Sequence, residues 1–141
     1  MKIIIQVVLA GFLLAGCASL GRGGRVEYLI LEATGSCKCG ECCGWKRNLF
    51  FQPVYDCGPM EGGRKEVGLT VSGTKAKPGT IAADTSVFPF GTRMRIPGDG
   101  DGVVEDRGGV IQGGQIDLFF KSHREALEWG RRNVTVEVRY P

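Results

Sequence analysis

The chain has a single histidine, His123, among 141 residues, and no Ser-His-Asp or Cys-His motif is built around it. That excludes the familiar triad chemistry and predicts a surface position for His123, in the first turn of a helix. Charge of one sign is also missing. Eighteen basic residues face 15 acidic ones, net +3, and no basic run carries interleaved aromatics, so no nucleic-acid partner is expected. Sustained helical periodicity is scarce. With 23 glycines the chain is built for tight turns and few long helices. Asp99 and Asp101 resemble part of a calcium loop, but the remaining acidic ligands are absent. No cofactor is expected. At 141 residues the chain suits one compact domain.

The one long apolar run opens the chain. Lys2 precedes Ile3 to Ala15, and Leu14-Ala15-Gly16-Cys17 follows. The run is too short for a permanent bilayer span and has the shape of a secretory signal. Its end resembles a bacterial lipobox, which implies that residues 1–16 are removed and Cys17 carries lipid. With Ala18 rather than Asp after the cysteine, the resemblance implies an outer-membrane address, facing the periplasm. Residues 17–25 read as a flexible tether, and a monomeric domain is expected over 26–141.

Five further cysteines follow Cys17. Cys37, Cys39, Cys42 and Cys43 form C-x-C-x-x-C-C, and Cys57 lies beyond them. Export favours disulfides, although close thiolates are also zinc-ligand material. No second C-x-x-C pair stands at a distance to strengthen zinc, so disulfides are the expectation, with at least one thiol left over. Residues 44–66 form a long aromatic and polar insertion, longer than a passive connector needs.

Strand composition appears at Val26-Glu27-Tyr28-Leu29-Ile30-Leu31, in the Gly68–Thr74 stretch, at Thr80 to Asp84, at Arg93 to Ile96 and at Val134, Val136 and Val138. Ser122 and Glu125 make a capping box for one short helix, which Gly130 ends. Many short strands, glycine turns and one small helix describe a compact β-barrel.

The most informative stretch is Val103 to Phe120, VVEDRGGVIQGGQIDLFF. Side chains on a strand alternate between faces, so Ile116 and Leu118 point one way and Asp117 the other, beside Phe119. A carboxyl in such company is poorly solvated, which favours the protonated form that a general acid needs. Asp106 ends an apolar run before Gly108-Gly109, and Asp84 closes the Thr80 strand. Each aspartate could instead brace a turn, or pair with Arg107. Lys77 and Arg107 are weaker candidates for substrate contact.

Taken in order, GTIAADTSVFPFGT, VVEDRGG and QIDLFF, followed by the SHREALEWGRR helix, resemble the 3D domain family, named for three aspartates. Asp84, Asp106 and Asp117 occupy those positions. The resemblance implies a six-stranded double-psi β-barrel akin to the catalytic barrel of membrane-bound lytic transglycosylase A. It further implies cleavage of peptidoglycan glycan strands between N-acetylmuramic acid and N-acetylglucosamine, leaving 1,6-anhydro ends. Asp117 is then the acid/base, with Asp106 and Asp84 orienting it and binding sugar hydroxyls. The rival functions are a non-catalytic peptidoglycan-binding envelope lipoprotein and a hydrolytic glycosidase. For the N-terminus, Cys17→Ser is expected to abolish lipid labelling and release the protein from the membrane fraction; unchanged membrane association would contradict the lipobox.

Overall fold

The computed structural model describes residues 24–141; the proposed signal segment, most of the tether and Cys17 lie outside the described residues. The chain runs β1 (Val26–Ser36), α1 (Gly40–Cys43), β2 (Trp45–Arg47), β3 (Pro53–Tyr55), β4 (Thr80–Ala83), β5 (Arg93–Ile96), β6 (Gly100–Asp106), β7 (Gln115–Phe119), α2 (His123–Trp129) and β8 (Arg131–Arg139). Six strands close into a mixed barrel in the order β1-β7-β4-β6-β5-β8, while β2 and β3 form a separate two-stranded sheet. The mostly β barrel with a short helix near its C-terminus agrees with the expectation from sequence. Among the described residues no helix is long and apolar enough to cross a membrane.

Two pairings are parallel, β1 with β7 and β4 with β6. Parallel neighbours need crossover connections, and here these connections carry the insertion and the longer loops. Alternation fills the interior. Leu31, Ala33, Ile81, Ala83, Val104, Ile116, Leu118, Val136 and Val138 point inward with Phe88, Met94 and Ile96. The interleaved residues face out, which is how β7 places Asp117 outside a strand whose Ile116 and Leu118 are buried.

Helix α2 closes one end of the barrel. Its capping box is formed as expected, with the Ser122 hydroxyl accepting from the Glu125 amide and the Glu125 carboxylate accepting from the Ser122 amide. Ala126 and Trp129 are its buried residues, and Phe120 tilts against Trp129 at 5.8 Å between ring centroids.

The strand expected over Gly68–Thr74 is absent. That segment is a turn, with only a single bridge between Leu69 and Lys75. Its hydroxyls outcompete a ladder: Thr70 Oγ1 meets Thr74 Oγ1 at 2.8 Å and accepts from the Thr74 amide at 3.0 Å.

Helix α2 can approach β1 because Gly35 has no side chain. A Cβ there would sit 2.8 Å from the Ala126 carbonyl oxygen and 3.2 Å from its Cα, both backbone atoms that cannot swing away. Gly35→Ala is therefore expected to destabilise the fold by about 1–3 kcal/mol, as overpacking does, seen as a lower urea midpoint; an unchanged midpoint would show that α2 is not seated through this contact.

Candidate active site

Strand pairing sets three aspartates at one end of the barrel wall. Thr34 on β1 is opposite Asp117 on β7, Asp117 is opposite Ala82 on β4, and Ala82 is opposite Asp106 on β6. Asp106 reaches this row through an irregularity. Alternation from the fully buried Val104 would aim Asp106 inward, but the register slips between Ile81 and Ala82, so Asp106 faces the outward Ala82. Two strand spacings then separate the Asp106 and Asp117 backbones by about 10 Å. The small Ala82 lies between them. Asp84, two residues beyond Ala82, follows the end of β4.

The three carboxylates have different partners. Asp84 accepts from the Ser86 hydroxyl at 2.6 Å, the Ser86 amide at 3.0 Å and the Gly113 amide at 2.9 Å. The Ser86 hydroxyl first, then the two amides, hold its carboxyl below the usual carboxylate range. It is an anion that ties the loop before β7 to the exit of β4. Asp106 accepts from the amides of Val71 and Arg107, each at 2.9 Å, and so pins the Gly68–Thr74 turn to the end of β6. Both are braces.

Asp117 is different. Its Oδ1 accepts from Thr34 Oγ1 at 2.6 Å, and its Oδ2 accepts from Ser36 Oγ. No backbone amide holds it, and the side chain is half-buried rather than sealed in apolar surroundings. The apolar environment expected beside Phe119 is thus replaced by a cradle of two hydroxyls. These hydroxyls can rotate about their C–O bonds, as a backbone amide cannot. Thr34 and Ser36 were not legible as site residues, because only the parallel pairing of β1 with β7 brings them beside a residue more than 80 positions later.

The remaining candidates divide. The Arg107 amide, not its exposed guanidinium, contacts Asp106. Lys77 lies apart, in a cleft of about 370 Å³ shared with Gly79, Arg93, Glu105 and Arg139 that contains none of the three aspartates. A second cavity, of about 540 Å³, is lined by Cys37, Lys38, Trp45, Phe51, Lys121 and His123, among others. It adjoins the aspartate row through the chain itself, since Cys37 directly follows Ser36. Phe51 on its wall has a left-handed backbone, φ 58°, a conformation that bulky residues adopt only when held there.

All five described cysteines are free thiols, so none of the disulfides expected from the sequence is formed. Cys37, Cys39 and Cys42 converge with His123, their ligand atoms lying within 4.8 Å of one another. His123 is partly exposed in the first turn of α2, as expected, and its ring also reaches the three thiols. Cys43 points elsewhere: its Sγ donates to the Cys37 carbonyl at 3.0 Å, and burial, with the Asp117 carboxylate among the nearby negative charges, pushes its thiol up.

The fold and site define a closed mixed barrel with a half-buried acidic row at one end. Residues 79–140 match the 3D domain, the family that the motifs of this span resemble. Over 58 residues the chain is 40% identical to the cell wall-binding protein YocH of Bacillus subtilis, covering 41% of this chain and 20% of that protein. It is 34% identical over 58 residues to the putative cell wall shaping protein YabE of the same organism, covering 41% of this chain and 14% of that one. The chain therefore spans a fifth or less of these relatives. Among solved structures, MltA from E. coli, described as a lytic transglycosylase fold, aligns at 23% identity with TM-score 0.42, covering 51% of this chain and 28% of that one.

Because Asp84 binds its partners as an anion, its contribution to stability is present above the ordinary aspartate value of 3.8 and is lost as pH falls through its lower folded value. Asp84→Asn is expected to melt below wild type at neutral pH, with the gap closing in acid. A gap that stays constant down to low pH would show that the charge does not brace this loop.

Proposed function

We propose that the chain acts on peptidoglycan glycan strands as a lytic transglycosylase, with Asp117 as its acid/base. The observation that carries the reading is the hydroxyl cradle of Thr34 and Ser36, which leaves Asp117 alone among the three aspartates free of backbone amides. The 3D domain and relatives named for binding and shaping the cell wall support the substrate class.

In this mechanism a carboxylic acid at Asp117 donates its proton to the oxygen bridging N-acetylmuramic acid and N-acetylglucosamine. The bond from the muramic C1 to that oxygen breaks, and C1 gains oxocarbenium character. The sugar's own C6 hydroxyl then attacks C1 while Asp117 takes the hydroxyl proton. One C–O bond is lost and one formed, the proton returns to the enzyme, and no water is consumed. Thr34 and Ser36 orient the carboxyl through both halves, and Asp84 and Asp106 hold the loops that border the sugar. The second cavity, with Trp45 and Phe51, offers apolar faces for the flat sides of neighbouring sugar rings.

A second reading is a non-catalytic cell-wall binder, favoured by the backbone-bracing geometry of Asp84 and Asp106 and by the name of the more similar relative. Asp117→Asn separates the two. The change keeps the shape and removes the transferable proton, so fragment release from purified sacculi is expected to fall about 100-fold or more while sedimentation with sacculi persists. Thr34→Val with Ser36→Ala should reduce turnover and leave sedimentation intact. Wild-type turnover per folded Asp117→Asn molecule, with folding checked by circular dichroism, would end the assignment.

A further inference from the structure

We infer that Cys37, Cys39, Cys42 and His123 hold a zinc ion in a closed, structural site that fastens the end of β1 to the start of α2. This does not depend on the proposed activity; it rests on the convergence of four donors from two distant parts of the chain.

The distances are those of a tetrahedron. Zinc–sulfur bonds of about 2.3 Å and zinc–nitrogen bonds of about 2.0–2.1 Å set tetrahedral edges near 3.7–3.8 Å between sulfurs and near 3.5 Å between sulfur and nitrogen. Cys37 Sγ lies 3.7 Å from Cys42 Sγ. His123 Nδ1 lies 3.5 Å from Cys39 Sγ and 3.4 Å from Cys42 Sγ. The other pairs are within 4.8 Å, a small side-chain rotation away from the same edge length.

The surroundings are those of ligands rather than of a disulfide. The Cys39 amide donates to Cys37 Sγ and the Cys42 amide to Cys39 Sγ, each at 3.4 Å, which suits sulfurs carrying negative charge. The turn that allows this is α1, capped by Cys39 and ended by Gly44 in the left-handed conformation. On the far side of the imidazole, His123 Nε2 lies 3.0 Å from Glu41 Oε2. A carboxylate there fixes the tautomer that presents Nδ1 to the sulfurs, as outer carboxylates do for metal-bound histidines. One disulfide would use two of the three thiols and strand the third with the imidazole. A metal uses all four donors. Three thiolates and one imidazole, with no fourth position open to solvent, match structural zinc. Cys43 and Cys57 are not ligands: the first donates to the Cys37 carbonyl and the second is exposed.

The sequence hides this site because its fourth ligand is 81 residues from the nearest cysteine ligand. The capping box sets His123 as the first residue of α2, and Gly35 lets α2 lie close enough to β1 for the imidazole to reach the thiols. The site also borders Asp117, since Cys37 follows the Ser36 that bonds its carboxylate.

The test is metal content. The full chain, purified without chelator, is expected to carry one zinc per molecule by elemental mass spectrometry. Cys39→Ser and His123→Ala should lose it, while Cys43→Ser and Cys57→Ser keep it. Cobalt exchanged into the wild type should show the absorption of thiolate-to-cobalt charge transfer in a tetrahedral field. Stripping zinc from the wild type should lower its melting temperature by about 10 °C or more, a reading that survives if a ligand variant fails to fold. Three results would overturn the inference: stoichiometric iron in place of zinc, cysteines mapped as disulfides with no bound metal, or a melting temperature unmoved by complete metal removal.

Discussion

The parallel pairing of β1 with β7 is the constraint on which the rest of the site depends. It sets Thr34 opposite Asp117 and Ser36 opposite Phe119, so two hydroxyls at the end of the first barrel strand close around a carboxylate from near the end of the chain. Without that register Asp117 would be one more exposed acid on a barrel wall. With it, the carboxyl is held by two hydroxyls, which can rotate where backbone amides cannot. Asp84 and Asp106 lack that freedom, being committed to backbone amides of flanking loops.

Four consecutive residues of β1 and its exit concentrate this dependence. Thr34 and Ser36 face out to Asp117. Gly35 faces the other way and lies under the backbone of α2. Cys37 is buried and opens the cysteine cluster. Strand alternation forces this division: a residue pair that serves the carboxylate must be separated by one that meets the helix. Helix α2, seated on Gly35, brings His123 to the thiols, so the same short segment is fixed from both faces. Support from both faces restricts how far the Asp117 carboxyl and its two hydroxyl partners can move.

Much of this was legible in the sequence, and the failures have physical causes. The alternation Ile116-Asp117-Leu118 correctly turned Asp117 outward, and Ser122 with Glu125 correctly started the helix. The Gly68–Thr74 segment misled because its Thr and Ser hydroxyls, which suit strands by composition, instead satisfy a turn. The face of Asp106 depended on a register slip that no pattern announces. The surroundings of Asp117 were read from its chain neighbours, whereas a strand's environment is set by partners across the sheet. The spacing of the thiols gives no sign of His123, which the fold brings beside them from another element.

In the proposed reaction glycan cleavage is intramolecular, with a sugar hydroxyl and not water as the acceptor. Digestion of purified sacculi in water enriched in heavy oxygen, followed by mass spectrometry of the released fragments, addresses it directly. Transglycosylation yields fragments ending in 1,6-anhydro muramic acid with no incorporated label. Reducing ends carrying heavy oxygen would contradict it in favour of hydrolysis, and no release at all from sacculi that bind the protein would contradict it in favour of a binding module.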